Sequence, residues 1–135
     1  MPTPLDSYRR LRRTARFAPR FYEHLLASDV RIKRLFANTN FERQNALFEH
    51  GVHVLLEYAA GSAIGEMAVR RLGQRHTRSD LNVDPALYSI WIDCLIATAA
   101  ELDPKWNPTL ERRFRADIQK GIDEMTRAYN EDVPE

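Results

Sequence analysis

Between Leu110 and Tyr129 the apolar residues fall at Leu110, Phe114, Ile118, Ile122, Met125 and Tyr129, three or four positions apart. Only a helix with 3.6 residues per turn brings such positions onto one face. The same rhythm recurs along the chain, no segment alternates at period two for long, and β-branched residues are scattered. The chain is therefore predicted to be all-α, without internal repeats or a low-complexity linker.

Capping residues and prolines divide it. Pro4 and Asp6 open a first helix with Leu5, Tyr8, Leu11 and Ala15 as its apolar face. Pro19 marks a break or a new first turn, and Phe17, Phe21, Tyr22, Leu25 and Leu26 form the face of a second helix. Ser28-Asp29 stops that helix and caps a short one over residues 30–36. Residues 37–40 read as loop, with Thr39 or Asn40 capping a helix over about 42–60 whose stripe is Leu47, Phe48, Gly51, Val54, Leu55 and Tyr58. After Gly61 a helix over 63–76 turns Ile64, Met67, Ala68, Val69 and Leu72 inward. Asp84-Pro85 and Asn107-Pro108 each pair an N-cap with proline at the first helical position. The helix over 85–102 is apolar nearly all round, so it is expected at the centre of the fold or in an interface. Six or seven helices of unequal length with short connections suggest an irregular globule rather than a symmetric bundle.

A chain of 135 residues makes one domain with a sizeable core, residues 1–135, frayed at about 1–6 and 130–135. An apolar share of 44% excludes disorder. No uninterrupted apolar run is read as long enough to cross a bilayer, and the Arg-rich N-terminus lacks the pattern of a secretory signal. The single cysteine, Cys94, excludes an internal disulfide and a cysteine zinc site, and fits a reducing, cytoplasmic compartment. A net charge of +1 gives no general case for nucleic acid. Arg9, Arg10, Arg12, Arg13, Arg16 and Arg20 crowd the first helical region. They are either a solvated face or a docking patch for an acidic partner or a membrane.

The chain holds four histidines, His24, His50, His53 and His76. His50 and His53 share a helix face, but no third ligand stands at a spacing that completes a metal site. No nucleophile elbow, Gly-rich phosphate loop or Walker pattern is present. His76 has more informative neighbours. It closes the run Leu72-Gly73-Gln74-Arg75-His76, Val83 follows in the link, and Tyr88 opens the next helix. A haem ligand must be a neutral imidazole on one wall of a flat apolar slot, its other nitrogen held by an acceptor. Leu72 and Val83 would serve as slot walls and Tyr88 as a supporting group; the competing reading makes His76 an ordinary helix-end cap.

Phe21-Tyr22-Glu23-His24-Leu25-Leu26 followed by Ile32-Lys33-Arg34-Leu35-Phe36 resembles the second and third helices of bacterial globins, with Tyr22 and Phe36 fourteen residues apart. Gln44 with Ala46-Leu47-Phe48 is similar to the start of the distal helix in flavohaemoglobin globin domains. Leu72 to His76 resembles the proximal segment, and Val83-Asp84-Pro85-Ala86-Leu87-Tyr88 the start of the helix after it. The resemblance spans about residues 17–129 and implies a single-domain globin fold, six to seven helices around a pocket for haem b (heme b, iron protoporphyrin IX). It implies that His76 ligates the iron, that Phe36 packs on the porphyrin, and that Tyr22 aims its hydroxyl at bound ligand with Gln44 as second donor. Leu47 or Phe48 would form the apolar distal wall. Tyr88 would match the proximal tyrosine of flavohaemoglobins, whose network also uses a glutamate, here Glu124 or Glu131. The first helix and the loop before the distal helix are shorter than in that family, and the link from His76 to Tyr88 is longer. A second register, through His50-Gly51-Val52-His53-Val54, resembles animal myoglobins and would make His50 the distal group.

The implied activity is binding of a diatomic gas, O2, NO or CO, with slow oxygen release. Three roles follow from it: storage or sensing, NO dioxygenation with a separate reductase, and peroxidase-like chemistry. The alternative is a haem-free helical interaction module that docks through its Arg-rich first helix and the apolar helix over 85–102. Under either reading the surplus of apolar residues around Trp91 suggests a homodimer.

Overall fold

The computed structural model describes residues 3–77, 79 and 81–132. They form α1 (Pro4–Arg12), α2 (Phe17–Ser28), α3 (Val30–Leu35), α4 (Phe41–Ala59), α5 (Ala63–Arg75), a single 3-10 turn (Pro85–Leu87), α6 (Tyr88–Leu102) and α7 (Pro108–Glu131). Among the described residues there is no strand. Local chemistry sets most of these starts. Thr3, Asp29, Asn40, Ser62, Asp84 and Asn107 each accept a backbone N–H of the turn they precede. Thr3 and Asp6 close a reciprocal capping box, so residues 4–6, expected to fray, are an anchored first turn. Residues 1–2 and 133–135 lie outside the described ones.

α4 packs on α5 and α7, α5 on α7, and α2 on α6. Phe17, Phe21 and Leu25 of α2 meet Val52, Leu55 and Leu56 of α4, Leu95 of α6, and Phe114 and Ile118 of α7 in one core. Burying each of these side chains stabilises the fold by roughly 1.5–3 kcal/mol. Two glycines allow close helix crossings. A Cβ on Gly65 would lie 2.6 Å from the Tyr58 backbone nitrogen, and one on Gly121 would overlap the Leu55 side chain. Gly61 turns the chain between α4 and α5 with a φ of +87°.

Two polar clasps hold helices together. Arg10 forks onto the buried Asp103 carboxylate at 2.7 and 2.9 Å, and Ser7 donates to it at 2.6 Å, tying α1 to the end of α6. Burial pushes the Asp103 carboxyl up, but Arg10 and Ser7 outweigh it and hold the group below its ordinary value. Glu101 of α6 accepts from Arg20 at 2.7 Å and lies 2.7 Å from His24 Nε2, both on α2. Arg20, with His24, brings the Glu101 carboxyl down to about 2.

Several sequence expectations change. α1 ends at Arg12, so Ala15 lies beyond it and is exposed. On α5, Ile64 and Met67 face solvent at 80% and 58% exposure, because the helix buries the row Gly65, Val69 and Gly73 instead. Gly73 packs on Met125 and Ala128 of α7. The segment Pro85–Leu102 is 18 residues long and, by length and composition only, apolar enough to cross a membrane, although Asp93 and Glu101 interrupt its apolar run. Here it belongs to the core, with Ile92, Leu95, Ile96 and Ala99 buried.

Candidate functional site

Tyr22 sits on the inner face of α2 with 5% of its surface exposed. Its hydroxyl oxygen accepts the Gln44 side-chain amide of α4 at 3.0 Å. Burial pushes the phenol up to about 12, opposed only in part by the bond from Gln44, so it stays protonated at neutral pH. Rings surround it: Phe21 at 5.1 Å, Phe41 at 5.4 Å, Phe36 at 5.5 Å and Phe48 at 5.7 Å between centroids, all edge-on. Phe48 also stacks on Phe21 at 4.1 Å and meets the edge of Trp91 at 6.1 Å. Of the two residues expected as distal wall, Phe48 is therefore inside this aromatic cluster, whereas Leu47 is 52% exposed.

His76 is the C-cap of α5, its backbone N–H donating to Gly73 at 3.1 Å. Its Nδ1 lies 2.7 Å from the Leu72 carbonyl oxygen. A carbonyl only accepts, so Nδ1 carries the hydrogen, and in the neutral ring the lone pair is on Nε2. The described end of the link, Leu81 to Val83, folds back on the end of α5. Val83 N–H returns to the His76 carbonyl at 3.2 Å, Asn82 N–H to Thr77 at 2.7 Å, and Leu81 N–H to Arg75 at 3.0 Å. Asn82 takes a left-handed φ of 52°, and its side chain accepts from Tyr129 of α7 at 2.8 Å. Leu72 and Val83 are half-buried beside the core.

Leu35, Leu47 and Leu81 expose 51%, 52% and 51% of their surface. Leu35 and Leu47 directly precede Phe36 and Phe48 in sequence, and Leu81 lies in the link that follows His76. Large apolar side chains left half uncovered, one buried hydroxyl and one oriented imidazole are the residue types that an apolar planar group with a ligated metal would need. Among the described residues no group of three or more His, Cys, Asp or Glu side chains could hold a bare metal ion. A single histidine suits an iron that arrives already bound by a macrocycle. The residues present therefore fit a haem.

The flavohaemoglobin resemblance implies a proximal network through Tyr88 and a glutamate; among the described residues the candidate glutamates are engaged otherwise. Glu124 and Glu131 both pair with Arg127 on their own helix. The Tyr88 hydroxyl is buried without a hydrogen-bond partner, and burial pushes the phenol up to about 12. Of the other histidines, His50 is exposed, and His53 stacks on Tyr8 at 5.1 Å and pairs with Glu57, so the two do not form a metal pair. Sequence reasoning assigned no role to His24, which joins the α2–α6 clasp, or to Phe41, which joins the aromatic cluster, and it read Trp91 only as part of an apolar surplus, whereas its ring meets Phe21 and Phe48. The one signal for Phe41 was its place directly after the helix cap Asn40.

No protein-family model and no curated protein sequence matches the chain. The structure is similar to the crystal structure of the Pseudomonas aeruginosa PAO1 protein PA3967, which is described as structurally highly homologous to a human haemoglobin. The TM-score is 0.88 and the sequences are 32% identical, over 93% of this chain and 94% of PA3967. With the helix order found here, that likeness over nearly the whole of both chains places the protein in the globin-like family to which PA3967 belongs.

Proposed function

We propose that this chain binds haem and, through it, a diatomic gas such as O2, NO or CO. The observation that carries the reading is the Leu72–His76 hydrogen bond at 2.7 Å. It orients the imidazole ring through Nδ1, so that a haem iron would be held through Nε2. Bound there, the haem iron would supply an open coordination position for a small gas. Phe36 would pack on the macrocycle, and Leu47, Leu72 and Val83 would enclose its apolar edges. Tyr22, kept protonated by burial and held by Gln44, would donate a hydrogen bond toward the open position. This favours ligands that gain negative charge on binding. The group is read as haem b because the one cysteine, Cys94, has no histidine beside it with which to form a covalent haem attachment motif.

Ligand storage or sensing needs nothing more than these residues. NO removal would in addition need a separate reductase as electron donor. The distal group is read as Gln44 rather than His50, because Gln44 reaches Tyr22 and His50 is exposed.

The test is an absorption spectrum of the purified protein, ferric and then reduced, with and without carbon monoxide, beside His76→Ala. A strong Soret band that shifts with carbon monoxide and is lost or altered in the variant is the expected result. A protein that stays colourless after haem is added would overturn the reading in favour of a haem-free interaction module.

A further inference from the structure

Three residues of α4 grip Tyr22 from successive turns: Phe41, Gln44 and Phe48, at spacings of three and four that place them on one helix face. Gln44 holds the hydroxyl, and Phe48 braces the ring from the core side. Phe41 has no counterpart in the resemblance that pointed to the other two. Its ring meets the Tyr22 ring at 5.4 Å and 67°, and lies 6.2 Å from Phe36 at 29°. Phe36 in turn meets Tyr22 at 5.5 Å, so the three rings close a triangle. Phe41 is half-buried, Tyr22 behind it is buried, and Ala37, Asn38 and Asn40 before it are exposed. Its position is set locally. The connection from Phe36 to α4 is only residues 37–40, and the Asn40 side chain caps α4 by accepting Arg43 N–H at 3.3 Å. A loop this short brings the first α4 residue onto the Tyr22 and Phe36 rings, between Tyr22 and the exposed loop.

We infer that Phe41 is a positioning and size-selecting residue of the ligand pocket: its ring fixes the direction of the Tyr22 hydroxyl and closes the mouth beside the 37–40 loop against anything larger than a diatomic ligand. The inference rests on the haem reading. Without the Phe41 ring, Tyr22 loses one of its four edge contacts and Phe36 its stacked neighbour, while the Gln44 bond alone does not fix the phenol's rotation. The opening left at the surface would admit a bulkier ligand.

The experiment compares haem-loaded wild type, Phe41→Ala and Phe41→Tyr. The readouts are the C–O stretching frequency of the carbon monoxide complex and the affinity of the ferric protein for imidazole. Phe41→Ala should move the stretching frequency toward that of Tyr22→Phe and tighten imidazole binding by about three- to tenfold, the scale of one aromatic contact. Phe41→Tyr keeps the ring and can place its hydroxyl in water, so it should restore both to near wild type. A merely structural role would alter stability and leave the frequency in place. If Phe41→Ala does not fold, Phe41→Leu keeps apolar bulk without a ring and carries the same comparison. An intact Soret band with unchanged frequency and imidazole affinity overturns the role of Phe41 and leaves haem binding standing. Failure of the wild type to take up haem overturns both.

Discussion

The Gln44 amide donates to the Tyr22 hydroxyl oxygen across 3.0 Å, joining the first turn of α4 to the middle of α2. An amide N–H can only donate, so this bond uses an oxygen lone pair and leaves the phenol hydrogen to be given elsewhere. The arrangement is a hydroxyl buried in aromatic surroundings, oriented from one side and able to donate on the other.

Tyr22→Phe should therefore speed oxygen release by about ten- to a hundredfold, the worth of one hydrogen bond to a charged acceptor. Gln44→Leu should have a smaller effect in the same direction, since Tyr22 keeps its hydrogen but loses its orientation. Stopped-flow displacement of oxygen by carbon monoxide measures both. An unchanged rate in Tyr22→Phe would remove the tyrosine from the ligand site.

Arg10→Ala leaves the Asp103 carboxylate buried without its counter-ion. Breaking a buried pair from one side costs on the order of 3–5 kcal/mol, toward the lower end here because Arg10 itself is 19% exposed. The loss should depend on pH. In the wild type the Asp103 carboxyl is held below its ordinary 3.8, so its contribution is present above that value and lost as pH falls through the lower, folded-state value. In Arg10→Ala the burial is offset only by Ser7 and the Lys105 N–H, so the group rises relative to the wild type, and the cost of keeping it charged is greatest near neutrality and relieved in acid. The stability gap between the proteins should shrink from pH 7 toward pH ~4 in urea unfolding. A gap independent of pH would mean the clasp acts by packing alone.

Gly65→Ala should destabilise more than Gly121→Ala. At Gly65 the added methyl meets the backbone of Glu57 and Tyr58, which cannot move without shifting α4. At Gly121 it meets the end of the Leu55 side chain, which can change rotamer. Overpacking of this kind costs about 1–3 kcal/mol. Thermal melts of the two variants decide the order, and equal losses would show that Leu55 is as rigid as the backbone.

Cys94 is 7% exposed, and burial pushes its thiol up from the ordinary value. It should react with an aromatic disulfide reagent no faster than the protein opens, and quickly once unfolded. Rapid labelling of the native protein would mean that α6 opens locally near its middle.

Much of the fold was legible because its signals are local. Asp84-Pro85, Asn107-Pro108, Asn40 and Asp29 act within one turn of themselves, and each caps the turn that follows it. The rhythm of Leu110, Phe114, Ile118, Ile122 and Met125 marked both a helix and its buried face. His76 at the end of α5 and Tyr22 on α2 could be singled out in the same way, because their proposed roles rest on residue type and order along the chain.

Which residues meet was not legible, because that depends on how helices cross. On α5 the large apolar side chains Ile64 and Met67 look like a core face, yet they point outward. The helix approaches α4 and α7 through Gly65 and Gly73, where the absence of a side chain lets backbones come close, and that choice turns the rest of the stripe away. Glu124 and Glu131 were candidates for a network around His76, but Arg127 on the same helix lies one turn from each and takes both. Phe41 carried no motif; a short loop and a capped helix start brought its ring onto Tyr22. Where the helices run, and which imidazole and hydroxyl stand out as site candidates, follow from local periodicity and residue type, both written along the chain. Which side chains surround that imidazole and hydroxyl follows only from tertiary packing, since burial and ring contacts are set by the close approach of helices distant in the chain.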